Sequence, residues 1–173
     1  MTSFTPSGVG GLSVAFESNE VAVLRDLAGQ LSVVLEGGVP EHGAEDPIRS
    51  RLFPRAYIDP TEDRAEATFQ SMVHDDLVRE KSEALAVLVG GLEAVADQAG
   101  RVELTLDRAG VEQWVGALND LRLALGTALG VTDDDPDDPD DDPRSGGLAV
   151  YHWLTSLQGE MIEGLLGEWA EPS

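Results

Sequence analysis

"VEQWVGALNDLRLALGTALG", residues 111–130, is the stretch on which the fold turns. Val111, Trp114, Leu118, Leu121, Leu125 and Leu129 recur at three- and four-residue spacing, which lays one continuous apolar face along a helix. Asp107 stands where an N-cap is needed and Gly130 where a helix stops. Three polar residues, Asn119, Asp120 and Arg122, interrupt the apolar run, with Gly116, Gly126 and Gly130 nearby. If buried they must be hydrogen-bonded, and the glycines allow close helix approach. They serve either as a packing network or as a recognition surface. Gly126-x-x-x-Gly130 has the spacing of a membrane helix-dimer motif, but its flanks are not membrane-like.

On its C-terminal side comes "TDDDPDDPDDDPRSGG", residues 132–147, with eight aspartates between Asp133 and Asp142. Clustered carboxylates suggest calcium, and the spacing argues against it. An EF-hand loop starting at Asp133 puts Asp138 where glycine must turn and Arg144 where a bidentate glutamate must sit. Regular proline favours an extended course that splays the carboxylates outward. The segment over 132–146 reads as a disordered, solvating loop within the domain, or as a docking element for a basic partner. A last helix then runs from Leu148 to Trp169 on a broad stripe of Val150, Trp153, Leu154, Leu157, Met161, Leu165 and Trp169.

On the N-terminal side, "VELTL", 102–106, predicts a short strand. Before it, a helical pattern starts at Asp59-Pro60, a cap followed by a first-turn proline. It continues through Ala65, Phe69, Met72, Val73, Leu77, Leu85, Leu88, Leu92 and Val95 to about Ala99. A break is expected near His74-Asp75-Asp76, where an aspartate can cap a second helix. Residues 39–60 carry four prolines and should wrap the surface with one helical turn starting at Pro47. An earlier helix begins with Ser18 as cap and uses Val21, Leu24, Leu27 or Ala28, Leu31 and Val34 or Leu35, ending at Gly37-Gly38. "LSVAFE", 12–17, alternates with period two and predicts the other strand. Residues 1–11 read as a flexible lead-in. The sum is a mainly α protein, a four- to five-helix orthogonal bundle over 12–170 with two short strands that pair as a ribbon.

Composition restricts function. The chain of 173 residues has a net charge of −22 and stays acidic without the aspartate run, so its mean field repels nucleic acid and anionic membranes. It has no cysteine, which removes disulfides, thiolate metal sites and cysteine nucleophiles. The N-terminus lacks a basic n-region with an apolar core, and "ALAVLVGGL", 84–92, is too short to span a bilayer. A cytoplasmic location is expected. G-x-S-x-G, P-loop and dinucleotide motifs are missing, and "GVGG" at 8–11 precedes a strand where a phosphate loop would follow one. Nothing in the residues requires a cofactor or metal.

The remaining candidates are few. Arg49, Arg51 and Arg55 gather three of the eleven basic residues beside Leu52, Phe53 and Tyr57. They can grip an anion or partner through guanidinium forks, or pin a loop to an acidic body by ion pairs. His74-Asp75-Asp76 invites a metal or acid–base reading, but no His-Glu-x-x-His completes it and His42 and His152 lie far away in sequence.

"RLFPRAYIDPTED" at 51–63, "VHDDLV" at 73–78, "VEQWVGALNDLRLALGTALGVTDDD" at 111–135 and "YHWLTSLQGEMIEGLL" at 151–166 stand in an order that resembles an actinobacterial domain-of-unknown-function family of AosR-like, oxidation-sensing-regulator type proteins. The resemblance runs from the first strand to the last helix. It implies a role in regulation, through proteins of the transcription apparatus. Oxidation sensing in that type is attributed to cysteines, which this chain lacks, leaving Met1, Met72 and Met161 as its oxidisable sulfurs. The expectation is a non-enzymatic regulator acting through protein–protein contacts, with homo-oligomers left open. Its binding residues are Arg49, Arg51, Arg55, Tyr57, Asn119, Asp120 and Arg122. The alternatives are a direct DNA-binding transcription factor and a carboxylate-dependent metal hydrolase at His74, Asp75 and Asp76.

Overall fold

The computed structural model describes residues 1–8, 10–37, 46–54, 59–95, 100–132 and 142–167. In chain order these form β1 (Ser3–Ser7), β2 (Gly11–Glu17), α1 (Ser18–Glu36), α2 (Pro47–Leu52), a 3-10 turn (Pro60–Glu62), α3 (Asp63–Val95), β3 (Arg101–Leu106), α4 (Arg108–Leu129) and α5 (Ser145–Leu166). The mainly helical architecture is the one its sequence implies.

Helix α4 is the hub. Asp107 caps α4 by accepting the Gly110 N–H at 2.7 Å, and the chain is turned out at Gly130 as Val131 N–H returns to the Gly126 carbonyl. Val111, Trp114, Leu118 and Leu121 are buried, while the last turns of the same face, at Leu125 and Leu129, are half-buried. Around α4 pack α5, α3, α2 and β2. Trp114 stacks on Phe16 of β2, ring centroids 6.0 Å apart.

The sheet has three antiparallel strands in the order β1-β2-β3, one more than expected. Leu12, Val14 and Phe16 all face inward and are buried, as their alternation implies. The third strand comes from the N-terminal stretch read as a lead-in: Ser3–Ser7 pairs with β2 from Ser3↔Ala15 to Ser7↔Gly11. Phe4 is its one large apolar residue, so no period is visible. Pro6 is tolerable because β1 lies at the sheet edge. Gly8 and Gly10, both at positive φ, turn the chain from β1 into β2.

Three helix boundaries also differ. The start of α1 is held by Glu20, whose carboxylate accepts the Glu17 N–H at 2.8 Å. Ser18, expected as the cap, instead donates its hydroxyl to the Gly100 carbonyl, tying α1 to β3. Asp59 caps the 3-10 turn through Thr61 N–H, and the α-helix proper begins at Asp63. From there α3 runs unbroken for 33 residues, about 50 Å. The break expected at 74–76 does not occur, because Asp76 turns outward to Arg79 one turn on, at 2.9 Å, and His74 packs against α2. The C-terminal half of α3 is buried through Ala84, Leu85, Leu88, Leu92 and Val95, whereas Met72 stays 73% exposed.

The acidic run is framed by its own anchor. Arg144 donates to the Leu129 carbonyl at the end of α4 at 3.0 Å and to Asp142 at 2.7 Å. Asp142 in turn accepts the Arg144 backbone N–H. Thus α5 begins at Ser145, three residues ahead of its expected start, locked beside the end of α4. The aspartates at 133–141 and Trp169 lie outside the described residues. Replacing 133–141 by a short Gly-Ser bridge while keeping Asp142 should leave the melting temperature within a few degrees of wild type. Arg144→Ala in the full chain should lower it more than that excision does; the reverse order would show that the acidic run itself holds the hairpin.

Candidate functional site

Asp46 caps α2 by accepting the Ile48 N–H at 2.9 Å, and Pro47 supplies the first turn. This short helix presents its arginines to two different places. Arg49 turns inward, and its Nη1 donates to the Val34 carbonyl at 2.8 Å, with the Leu35 carbonyl at 3.5 Å. It therefore caps the C-terminal end of α1, where a cation is favoured by the helix dipole. Its Nη2 lies 3.2 Å from His74 Nε2, and its guanidinium covers the Phe53 ring at 5.4 Å. The His74 ring also packs against Phe53, with ring centroids 5.1 Å apart. Lys81, two turns along α3, approaches the Phe53 ring at 5.9 Å and donates to Asp120 Oδ1 at 2.8 Å. Asp120 is 4% exposed. Of the residues proposed for binding, Arg49 and Asp120 are thus engaged in joining α1, α2, α3 and α4 to one another.

Arg51 turns the other way. With Arg122 it lines an open cleft of about 570 Å³ between α4 and α5, floored by Gly126 and walled by Thr127, Tyr151 and His152. The Tyr151 ring lies so close over Gly126 that a Cβ there would sit 2.9 Å from it, so glycine is required for this approach. Arg122 makes one long contact, 3.4 Å to Asn119 Oδ1, and its buried Nε has no hydrogen-bond partner. Arg51 forms no hydrogen bond or ion pair among the described residues. The described part of the Arg-rich segment, α2 with Arg49 and Arg51, therefore meets α4, and Arg51 and Arg122 line the same cleft. Arg55 and Tyr57 lie outside the described residues.

Tyr151 and His152 were not singled out by sequence spacing. Their signal was Gly126, flagged for close approach but without a partner to approach. The hairpin of α4 and α5 supplies that partner across the acidic connection. His74 offers a different lesson. It is an internal packing and hydrogen-bonding residue beside Arg49, and among the described residues no group of three or more His, Asp or Glu side chains is placed to hold a metal ion. Of the sulfurs, Met161 is fully buried, and Met1 and Met72 are exposed.

Burial pushes the Asp120 carboxyl above the usual carboxylate value; the Lys81 hydrogen bond and charge pull it back part of the way, and Glu80 adds to the rise. The folded value therefore exceeds the unfolded one. The contribution of Asp120 to stability is complete below the unfolded value and is lost as pH rises through the folded one. Asp142, held low by Arg144, has the opposite sign and loses its contribution as pH falls. In a carboxyl-detected NMR titration Asp120 should titrate above the usual aspartate range, and Lys81→Met should move it higher still. A downward move in Lys81→Met would mean that Lys81 is not the group opposing desolvation.

The family described as a domain of unknown function, DUF2017, matches residues 1–165, a span that takes in β1 and every element up to the last turn of α5. The oxidative stress regulator AosR of Mycobacterium tuberculosis is 31% identical over 178 residues, covering 86% of this chain and 79% of the relative. The Mycobacterium bovis protein of the same name has the same identity and coverage. The putative oxidative stress regulator AosR of Mycobacterium leprae is 32% identical over 177 residues with equal coverage. No solved structure has significant similarity to the chain. With the family match spanning nearly all of its length, the chain belongs to the DUF2017 family.

Proposed function

We propose that this protein is a non-enzymatic, cytoplasmic regulator that acts by contacting another protein, in the control of stress responses or transcription. The likeness to mycobacterial oxidative stress regulators supports the regulatory role. The observation that carries the contact surface is the division of the arginines: Arg49 is committed to the end of α1, while Arg51 and Arg122 share a cleft and have no acidic partner among the described residues. Uncommitted guanidiniums next to an aromatic are the chemistry that anchors protein contacts. In this reading Asn119 orients Arg122, and Arg55 and Tyr57 also take part in the contact.

The alternatives are weaker. Direct DNA binding works against a net charge of −22. Hydrolysis at His74 conflicts with its packing against Arg49 and Phe53. No helix among the described residues is long and apolar enough to cross a membrane.

Affinity capture from cells under peroxide stress, with wild type, Arg51→Ala and Arg122→Ala as baits, tests the contact surface. At least one partner should be depleted several-fold on both variants while their circular dichroism matches wild type. Equal recovery on all three folded baits removes the cleft from the interaction.

A further inference from the structure

We propose that the Arg51–Arg122 cleft binds a small phosphomonoester, with the phosphate between the two guanidiniums and the organic group against Tyr151. This rests on the cleft being the functional face and changes what occupies it: the two guanidiniums hold a small ligand, and the loss of partner capture in their variants then follows from the loss of that ligand.

Charge comes first. Two guanidiniums in one cleft match the roughly −1.5 to −2 charge of a phosphomonoester at neutral pH. A monocarboxylate leaves one of them uncompensated. Among the described residues Arg122 makes only one long contact, from Nη2 to Asn119 at 3.4 Å, so its terminal nitrogens, on the residue that lines the cleft, keep donors for a bound oxygen. Three carbonyls at the end of α4, which would otherwise repel an anion, are engaged: those of Gly126, Thr127 and Leu129 accept from Val131 N–H, Gly130 N–H and Arg144.

Size comes second. A cleft of about 570 Å³ exceeds what inorganic phosphate needs, and the extra space is bordered by Leu148, Val131 and the Tyr151 ring, held in place over Gly126. An aromatic or sugar group fits that wall. The whole-molecule field then decides between a small anion and an acidic macromolecule. A chain of −22 repels an approaching polyanion in proportion to the polyanion's total charge, whereas a dianion meets only its own share. The occupant is therefore small.

Titration of the purified full chain with phenyl phosphate and with inorganic phosphate, followed by calorimetry and by the Arg122 Nε–Hε resonance, tests this without any protein partner. Loss of partner capture and loss of anion binding are thus separately visible. Phenyl phosphate should bind saturably in the millimolar range or tighter, inorganic phosphate more weakly. Arg51→Ala and Arg122→Ala should each weaken phenyl phosphate by at least about tenfold. Arg25→Ala, on α1 and outside the cleft, should not. If Arg122→Ala perturbs folding, Arg51→Ala decides alone, since Arg51 is exposed. The proposal is overturned by non-saturable binding, by equal weakening in Arg25→Ala, or by a poly-glutamate peptide binding more tightly than phenyl phosphate, which would assign the cleft to an acidic protein segment.

Discussion

A carboxylate in the middle of an apolar helix sets the terms for everything packed around it. Asp120 lies at 4% exposure on α4, where an unpaired charge would be expelled or neutralised. Lys81 meets it at 2.8 Å from α3, and Lys81 is itself positioned over the Phe53 ring of the α2 segment. One ion pair therefore fixes the register of α3 against α4 and draws α2 onto both. Arg49, on the same short helix, then reaches the end of α1. Four helices are tied through two cations and one aromatic ring.

That arrangement explains why the basic residues do different jobs although three of them crowd into seven positions, from Arg49 to Arg55. On a single turn of helix, residues two apart point to different sides. When Arg49 turns toward α1 and His74, Arg51 must turn toward α4 and α5. The protein has eleven cations against thirty-three acidic residues, yet among the described residues neither Arg51 nor Arg122 has an acidic partner, and the two line one cleft. The site is thus a by-product of how the internal pairs are satisfied.

Much of the fold is legible in the residues, for physical reasons that vary by element. The α4 face, its Asp107 cap and its Gly130 stop, the α2 turn at Pro47 and the inward Leu12, Val14 and Phe16 all follow from local periodicity and capping. The β1 strand was hidden because an edge strand with one large apolar residue has no period to read. The continuity of α3 was hidden because Asp75 and Asp76 resemble caps until a neighbouring arginine and a packing partner for His74 are known. At the site, Arg51 and Arg122 were named from composition and position, but the split between Arg49 and Arg51 depends on α1 ending beside α2. Tyr151 and His152 depend on the α4–α5 hairpin. Neither is a local property.

The polar residues of this region divide into a structural set, Arg49 with Asp120, and a set facing the cleft, Arg51 with Arg122. Chemical denaturation of Arg49→Ala, Asp120→Ala and Arg51→Ala tests this division most directly. Arg49→Ala and Asp120→Ala should each lose about 1–3 kcal/mol, from uncapped carbonyls and a stranded Lys81, and Arg51→Ala should change stability by no more than about 0.5 kcal/mol. A large loss in Arg51→Ala, or none in Asp120→Ala, would contradict it.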